Sequence, residues 1–268
     1  MTKTAPYRVA LHCSVAGILL LVSVGSRAAE SAEIPTESRQ KTGTPPEWSF
    51  TINAYAWLAG LDGRLRTLPP LPAVDVNIGI GTVLENLDGA IMATAEARHG
   101  RFLIFTDIVA SRISPDKSFQ AFGYPANIGL ESGTVIATGM GGYRLVETRQ
   151  FSLDLLGGAR VFSMKNTIDV QTQPLSISYG KREEWMDGVV GGRAIYELTD
   201  KWFMTLIGLG GGISSNYEWD VFGGIGYRFN DRWGAFAGYR ALKVDYRDGD
   251  FIYDALQYGP VLGAQIRF

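Results

Sequence analysis

Apolar and polar residues alternate with a period of two over most of the chain from Trp48 onward. The clearest instance is the last segment, Ala255 to Phe268. There Leu256, Tyr258, Pro260, Leu262, Ala264, Ile266 and Phe268 share one face, and Gln257, Gly259, Gly263, Gln265 and Arg267 lie on the other. Successive side chains of a strand point to opposite faces, so this segment is a strand with one oily and one wet side. The same pattern predicts strands over Trp48–Leu58, Gly89–Arg98, Arg101–Ile113, Glu131–Leu145, Phe151–Ser163, Trp185–Leu198, Lys201–Ile213, Glu218–Phe229 and Trp233–Tyr246. With the closing segment that makes ten.

The connections alternate in length. Residues 99–100, 146–150, 199–200 and 230–232 are short turns, whereas 59–88, 114–130, 164–184 and 247–254 are long; 214–217 is a short exception. An even number of antiparallel strands, short turns at one end and long loops at the other is the pattern of a transmembrane up-and-down β-barrel. Most predicted strands also exceed the roughly 9–11 residues a tilted strand needs to cross a bilayer. Within the first long connection, Val74, Val76, Ile78 and Ile80 alternate, so eight or twelve strands remain compatible with the pattern. Thr82-Val83-Leu84-Glu85 reads there as a capping box for one short helical turn.

Three features turn the oily face outward. Aromatics gather at strand ends: Trp48, Phe151, Tyr196, Trp202, Tyr227, Phe229, Trp233 and Phe268 by the short turns, and Trp185, Tyr217, Trp219 and Tyr246 by the long loops. Such belts mark the two lipid–water interfaces. The wet face carries five acids and five arginines in mid-strand: Glu96, Arg98, Asp107, Asp154, Arg160, Asp187, Arg193, Glu197, Arg228 and Arg240. Left unpaired in a dry core these charges would be very costly, so they predict a structural charge network lining a polar lumen. The third feature is export. Lys3 and Arg8 precede an apolar run from Val9 to Val24, and Ser26-Arg27-Ala28 follows it with small residues at a cleavage position. The expected organisation is a signal peptide over 1–28, a flexible periplasmic leader over 29–47 and a barrel over 48–268.

Processing changes the chemistry. It removes Cys13, His12 and three of the 25 basic side chains but none of the 27 acidic ones, so the formal charge moves from −2 to −5. The mature chain then lacks cysteine, and the mildly acidic balance argues against nucleic acid as a partner. Enzymes of outer-membrane barrels need a base within hydrogen-bond reach of the group it activates. The remaining histidine, His99, falls in a turn at the periplasmic end. The runs Gly208-Leu209-Gly210-Gly211-Gly212 and Gly223-Gly224-Ile225-Gly226 open no helix and so form no phosphate cradle. Asp248, Asp250 and Asp254 miss the spacing of a calcium loop. No catalytic residue, metal site or cofactor is predicted.

Asn86-Leu87-Asp88, the strand holding Glu96-Ala97-Arg98, then Gly100-Arg101 and Asp107, resemble a motif of an uncharacterised, porin-like family of proteobacterial outer-membrane barrels. The resemblance covers about residues 75–110 and departs at Gly89 and Phe102, where an aromatic and a tryptophan are expected. It implies a barrel in the Gram-negative cell envelope and no defined activity. The expectation is therefore a non-enzymatic outer-membrane protein in contact with outer-membrane lipid, its lumen cross-linked by charge pairs, with a structural or surface-presenting role. The alternative is a narrow porin-like channel or carrier for small solutes, with Arg160, Arg193 and Arg240 guiding anions. The sequence names no protein partner.

Overall fold

A computed structural model describes residues 47–268, apart from 115, 122, 123, 173 and 174. The signal peptide and nearly all of the leader lie outside the described residues. The elements in chain order are β1 (Trp48–Trp57), β2 (Gly60–Arg66), β3 (Val74–Ile78), α1 (Ile80–Glu85), β4 (Leu87–His99), β5 (Phe102–Ile113) and β6 (Asp116–Ala121). They continue with β7 (Tyr124–Glu147), β8 (Phe151–Thr172), β9 (Leu175–Glu197), β10 (Trp202–Gly211), β11 (Tyr217–Arg228), β12 (Trp233–Asp248) and β13 (Phe251–Arg267).

Ten of these strands close a transmembrane antiparallel barrel. The hydrogen-bonded order is β1-β4-β5-β7-β8-β9-β10-β11-β12-β13, and β13 returns to β1 with Thr51 opposite Arg267 and Trp57 opposite Val261. Closure matters in lipid, because an open edge would leave backbone groups without partners. The ten expected strands are all present. β2 and β3 are additional and stand on the outer half of β13, with Gly60 opposite Tyr258 and Arg66 opposite Ile252. β1 and β2 thus form one line along β13, interrupted at Leu58 and Ala59. β4 pairs with β1 from Ala93 to His99; outward of that, β3 replaces it as the neighbour of the line. Where the two part, the Trp57 N–H donates to the Met92 sulfur at 3.1 Å.

Several expected loops are strands. The 114–130 connection contains β6, which pairs with the first residues of β7. The 164–184 connection is a continuation of β8 and β9 as a paired ribbon, Asn166 opposite Lys181 and Thr172 opposite Leu175. The 247–254 connection shrinks to Gly249 and Asp250, with β12 and β13 paired up to Asp248 opposite Phe251. Alternation of oil and water marks a strand only where one face meets lipid. Outward of the bilayer both faces meet water, and the ladder continues without that signature. Helix α1 begins two residues before the predicted capping box; its N-cap is Gly79, with no side-chain cap, and the Thr82 carbonyl instead accepts from Asn86 Nδ2 at 2.7 Å.

The oily face points outward. Leu262, Ile104 and Val190 are 55%, 59% and 66% exposed, whereas their strand neighbours Val261, Leu103 and Val189 are buried inside. On β13 Tyr258 and Leu262 of the oily face are exposed, as is Phe268 just after it, whereas Ala255 and Val261 on the other face are buried. At the short-turn end the outward aromatics pair across strands: Phe102 with Tyr143 at 5.1 Å and Trp202 with Tyr227 at 4.8 Å between ring centroids. Tyr217 and Trp219 are exposed near the outer end. Trp185 and Tyr246, expected in that outer belt, point inward and are buried, because each has the parity of its strand's lumenal residues. Two glycines make space for inner rings. A Cβ on Gly226 would come within 2.1 Å of the Phe203 ring, and one on Gly263 within 2.3 Å of the Phe236 ring.

Candidate functional site

The lumen is built in layers, and strand register decides which residues meet. Nearest the short turns, Asp154 on β8 lies opposite Arg193 on β9 and Arg144 on β7. Its buried carboxylate accepts from Arg144 Nε at 2.8 Å, Arg193 Nη2 at 2.8 Å and Arg98 Nη2 at 3.1 Å. Glu96 accepts from Arg98 Nη2 at 2.9 Å and from Arg193 Nη1 at 2.5 Å. The Arg193–Glu96 contact runs from β9 to β4 and ties well-separated parts of the wall across the interior. Beside this group Arg228 grips Glu197 bidentately at 2.5 and 2.6 Å. Such forked contacts are directional and among the stronger hydrogen bonds in proteins.

The second layer lies at mid-depth. Arg240 on β12 donates to Asp220 at 2.7 and 3.0 Å and, across the lumen, to Asp107 on β5 at 2.8 Å. The Tyr55 hydroxyl donates to Asp107 at 2.6 Å. Arg160 divides its donors between Asp220 at 2.7 Å and the Thr138 hydroxyl at 2.9 Å. Its remaining Nη1 stands 3.6 Å from Glu218, a buried carboxylate with no hydrogen-bond partner among the described residues.

Asp187 departs from the expected network. It sits opposite Arg160 in the β8–β9 ladder, yet no arginine reaches it among the described residues. Instead it accepts from the backbone N–H groups of Ile213, Ser214 and Ser215, each at 2.8 Å, and from the Ser215 hydroxyl at 2.5 Å. It fixes the β10–β11 connection onto the barrel. The other nine predicted residues fall into the two layers: Glu96, Arg98, Asp154, Arg193, Glu197 and Arg228 near the short turns, and Asp107, Arg160 and Arg240 at mid-depth.

Outward of the charges the lumen is filled with hydrocarbon. Trp185 on β9 stacks between Phe162, at 4.7 Å, and Tyr246 on β12, at 4.1 Å. Phe251 and Tyr253 pack around it, and Trp57, Val109, Ile136 and Val244 complete a cluster no more than 6% exposed. Side chains from β1, β5, β7, β8, β9, β12 and β13 therefore meet across the axis as in a soluble core. On the short-turn side a cavity of about 480 Å³ remains. It extends from Ser49, Ser152 and Arg267 by the short turns to Tyr55, Asp107 and Arg240 at mid-depth.

Sequence reasoning left out Arg144, Glu218, Asp220 and Tyr55 as members of the network, and placed Arg267 on the wet face without a role. Parity alone recovers three of them: Arg144 falls on the same face of β7 as Thr138 and Met140, and Glu218 and Asp220 on the same face of β11 as Arg228. The hydrogen bond from Tyr55 to Asp107 requires the barrel to close and has no local signal. His99 is at the short-turn end, its ring 4.9 Å from that of Trp48. The two glycine runs lie within β10 and β11 and the turn that follows β10. Asp254 is paired with Lys243 at 2.5 Å and Asp250 with Arg66 at 3.1 Å.

No family model and no curated protein matches the sequence. Solved structures do. The outer membrane protease OmpT of Escherichia coli aligns with a TM-score of 0.50 and 8% identity, over 85% of this chain and 99% of that one. The translocator domain of the autotransporter NalP from Neisseria meningitidis gives 0.45 and 14%, over 85% and 90%. The attachment invasion locus protein Ail of Yersinia pestis gives 0.33 and 13%, over 84% and 100%. Identities this low carry the fold alone, which is that of outer-membrane β-barrels.

Proposed function

We propose that this chain is a non-enzymatic integral protein of the Gram-negative outer membrane, a member of the uncharacterised barrel family that its 75–110 segment resembles. Its lumen is closed and cross-braced, and its role is structural or surface-presenting. The observation that carries this reading is the hydrocarbon plug centred on Trp185. A conducting lumen needs a continuous wet path, and here inward aromatic and aliphatic side chains from seven of the ten wall strands meet across the axis. The arginines assigned to anion guidance in the alternative are held: Arg160, Arg193 and Arg240 each contact at least one carboxylate at 2.8 Å or less. Strands β7, β8 and β9, of 24, 22 and 23 residues, run far beyond the length needed to cross the bilayer and carry a ribbon outward.

Purified protein reconstituted in a voltage-clamped planar bilayer tests the reading. Silence at either polarity is expected. Regular unitary current steps, with an anion preference altered by Arg193→Ala, would instead establish a pore.

A further inference from the structure

We infer that the cavity on the short-turn side of the lumen is a binding site for an amphipathic anion: a carboxylate or sulfonate carrying a hydrocarbon tail. The inference deepens the closed-lumen reading and rests on it for a cavity with a single mouth.

One arginine at the mouth stands outside the ion pairs. Arg98, Arg144, Arg193 and Arg228 are engaged by Glu96, Asp154, Glu197 and, at the end of β7, Glu147; Arg267 is the fifth. Among the described residues Arg267 makes no ion pair, and Arg98 Nη1 and Arg228 Nε have no hydrogen-bond partner. Two guanidiniums converge on one ring, Arg228 at 4.5 Å and Arg267 at 5.8 Å from the Phe203 centroid. Cations gathered this way in a partly desolvated mouth favour an incoming anionic head.

The wall behind that mouth differs by side. β4, β7, β8 and β9 contribute most of the ion pairs, and Arg228 on β11 completes the last. β10, β11 and β12 contribute Phe203, Ile207, Phe222 and Phe236, the last two in edge contact at 6.3 Å. A head on Arg228 and Arg267 therefore continues into an apolar strip, which ends at the Arg240–Asp220 pair at mid-depth. From Arg267 inward to Val261 is roughly 20 Å of strand at 3.3 Å per residue. At the usual 35–45° tilt this is roughly 15 Å along the axis, room for a medium-length chain. The volume, about 480 Å³, falls within the range of small-molecule sites.

The probe is octanoate, titrated into the protein in nanodiscs of zwitterionic lipid, with empty discs subtracted and octanol and octyltrimethylammonium as uncharged and cationic counterparts. Saturable octanoate binding at least tenfold tighter than octanol is expected, with none for the cation. Arg267→Gln is expected to weaken octanoate roughly tenfold or more, the loss of one charge-assisted contact. Thr205→Trp, which fills the cavity without removing a charge, should abolish binding, while Arg112→Gln at the outer end should leave it unchanged. Each variant is first checked for the folded barrel by heat-dependent gel mobility. Octanoate held no better than octanol, or binding indifferent to both Arg267→Gln and Thr205→Trp, overturns the inference. Either result is separate from bilayer conductance, which alone decides whether the lumen is closed.

Discussion

Asp154 shows how a single side chain holds the lumen together. Its carboxylate is fully buried and accepts from Arg98, Arg144 and Arg193, which come from three different strands. Replacing it with asparagine keeps the shape and removes the charge that offsets three desolvated cations. Breaking a buried ion pair by deleting one partner costs about 3–5 kcal/mol, and Asp154→Asn is expected to lose at least that much. Urea unfolding of protein refolded into lipid vesicles measures it; a loss under 1 kcal/mol would mean the charges are solvated and the network is not structural. At this scale much of the site was legible in the sequence, because parity alone assigns a residue to the lumen. Partner choice was not legible. Arg160 and Asp187 are register neighbours, yet Arg160 turns to Asp220 and Thr138, while the backbone of residues 213–215 takes Asp187. Those preferences arise from the curvature that brings β8 near β11 and folds the β10–β11 connection inward, and no local pattern encodes them.

Among the elements, legibility follows the solvent. β4, β5, β10, β11 and the inner halves of β12 and β13 meet lipid on one face and water or paired charge on the other, so their period of two is plain. The ribbon at the end of β8 and β9 meets water on both sides. Lys165, Asn166, Thr167 and Ile168 read as a loop with traces of alternation, although the ladder pairs them with Arg182, Lys181, Gly180 and Tyr179. Trp185 points inward and not into the outer belt for the related reason that an aromatic near a strand end suits either a lipid interface or a lumenal plug. Because the ribbon lies beyond the bilayer and outside the plug, the barrel does not need it. Deleting residues 167–180 and joining Asn166 to Lys181, which already face each other, through an Asn-Gly turn should preserve the fold. Far-UV circular dichroism of the refolded variant and heat-dependent gel mobility report the outcome. A variant that fails to fold would show that the ribbon is part of the folding unit.

The whole molecule has a polarity that its layers impose. Short turns, the mouth of the cavity, the start of β1 and the end of β13 lie at one end; the plug, the β2–β3 strands and the long ribbon lie at the other. Outer-membrane barrels keep short turns in the periplasm and long connections outside, so on our proposal the arginine-rich mouth is expected to face the periplasm and the ribbon the exterior. Cysteine chemistry tests this orientation together with export. Cys13 is the chain's one cysteine, and it lies within the predicted signal peptide, so the processed protein offers no background thiol. Tyr179→Cys, on the exposed ribbon, should react with a membrane-impermeant maleimide on intact cells. Arg149→Cys, in a short turn, should react only after the outer membrane is opened. Labelling of the parent chain would show that the amino-terminal segment is retained, and the reverse pattern for the two variants would invert the barrel. Inversion would put the cavity mouth on the outside, where an amphipathic anion would have to come from the surroundings of the cell, not from the periplasm.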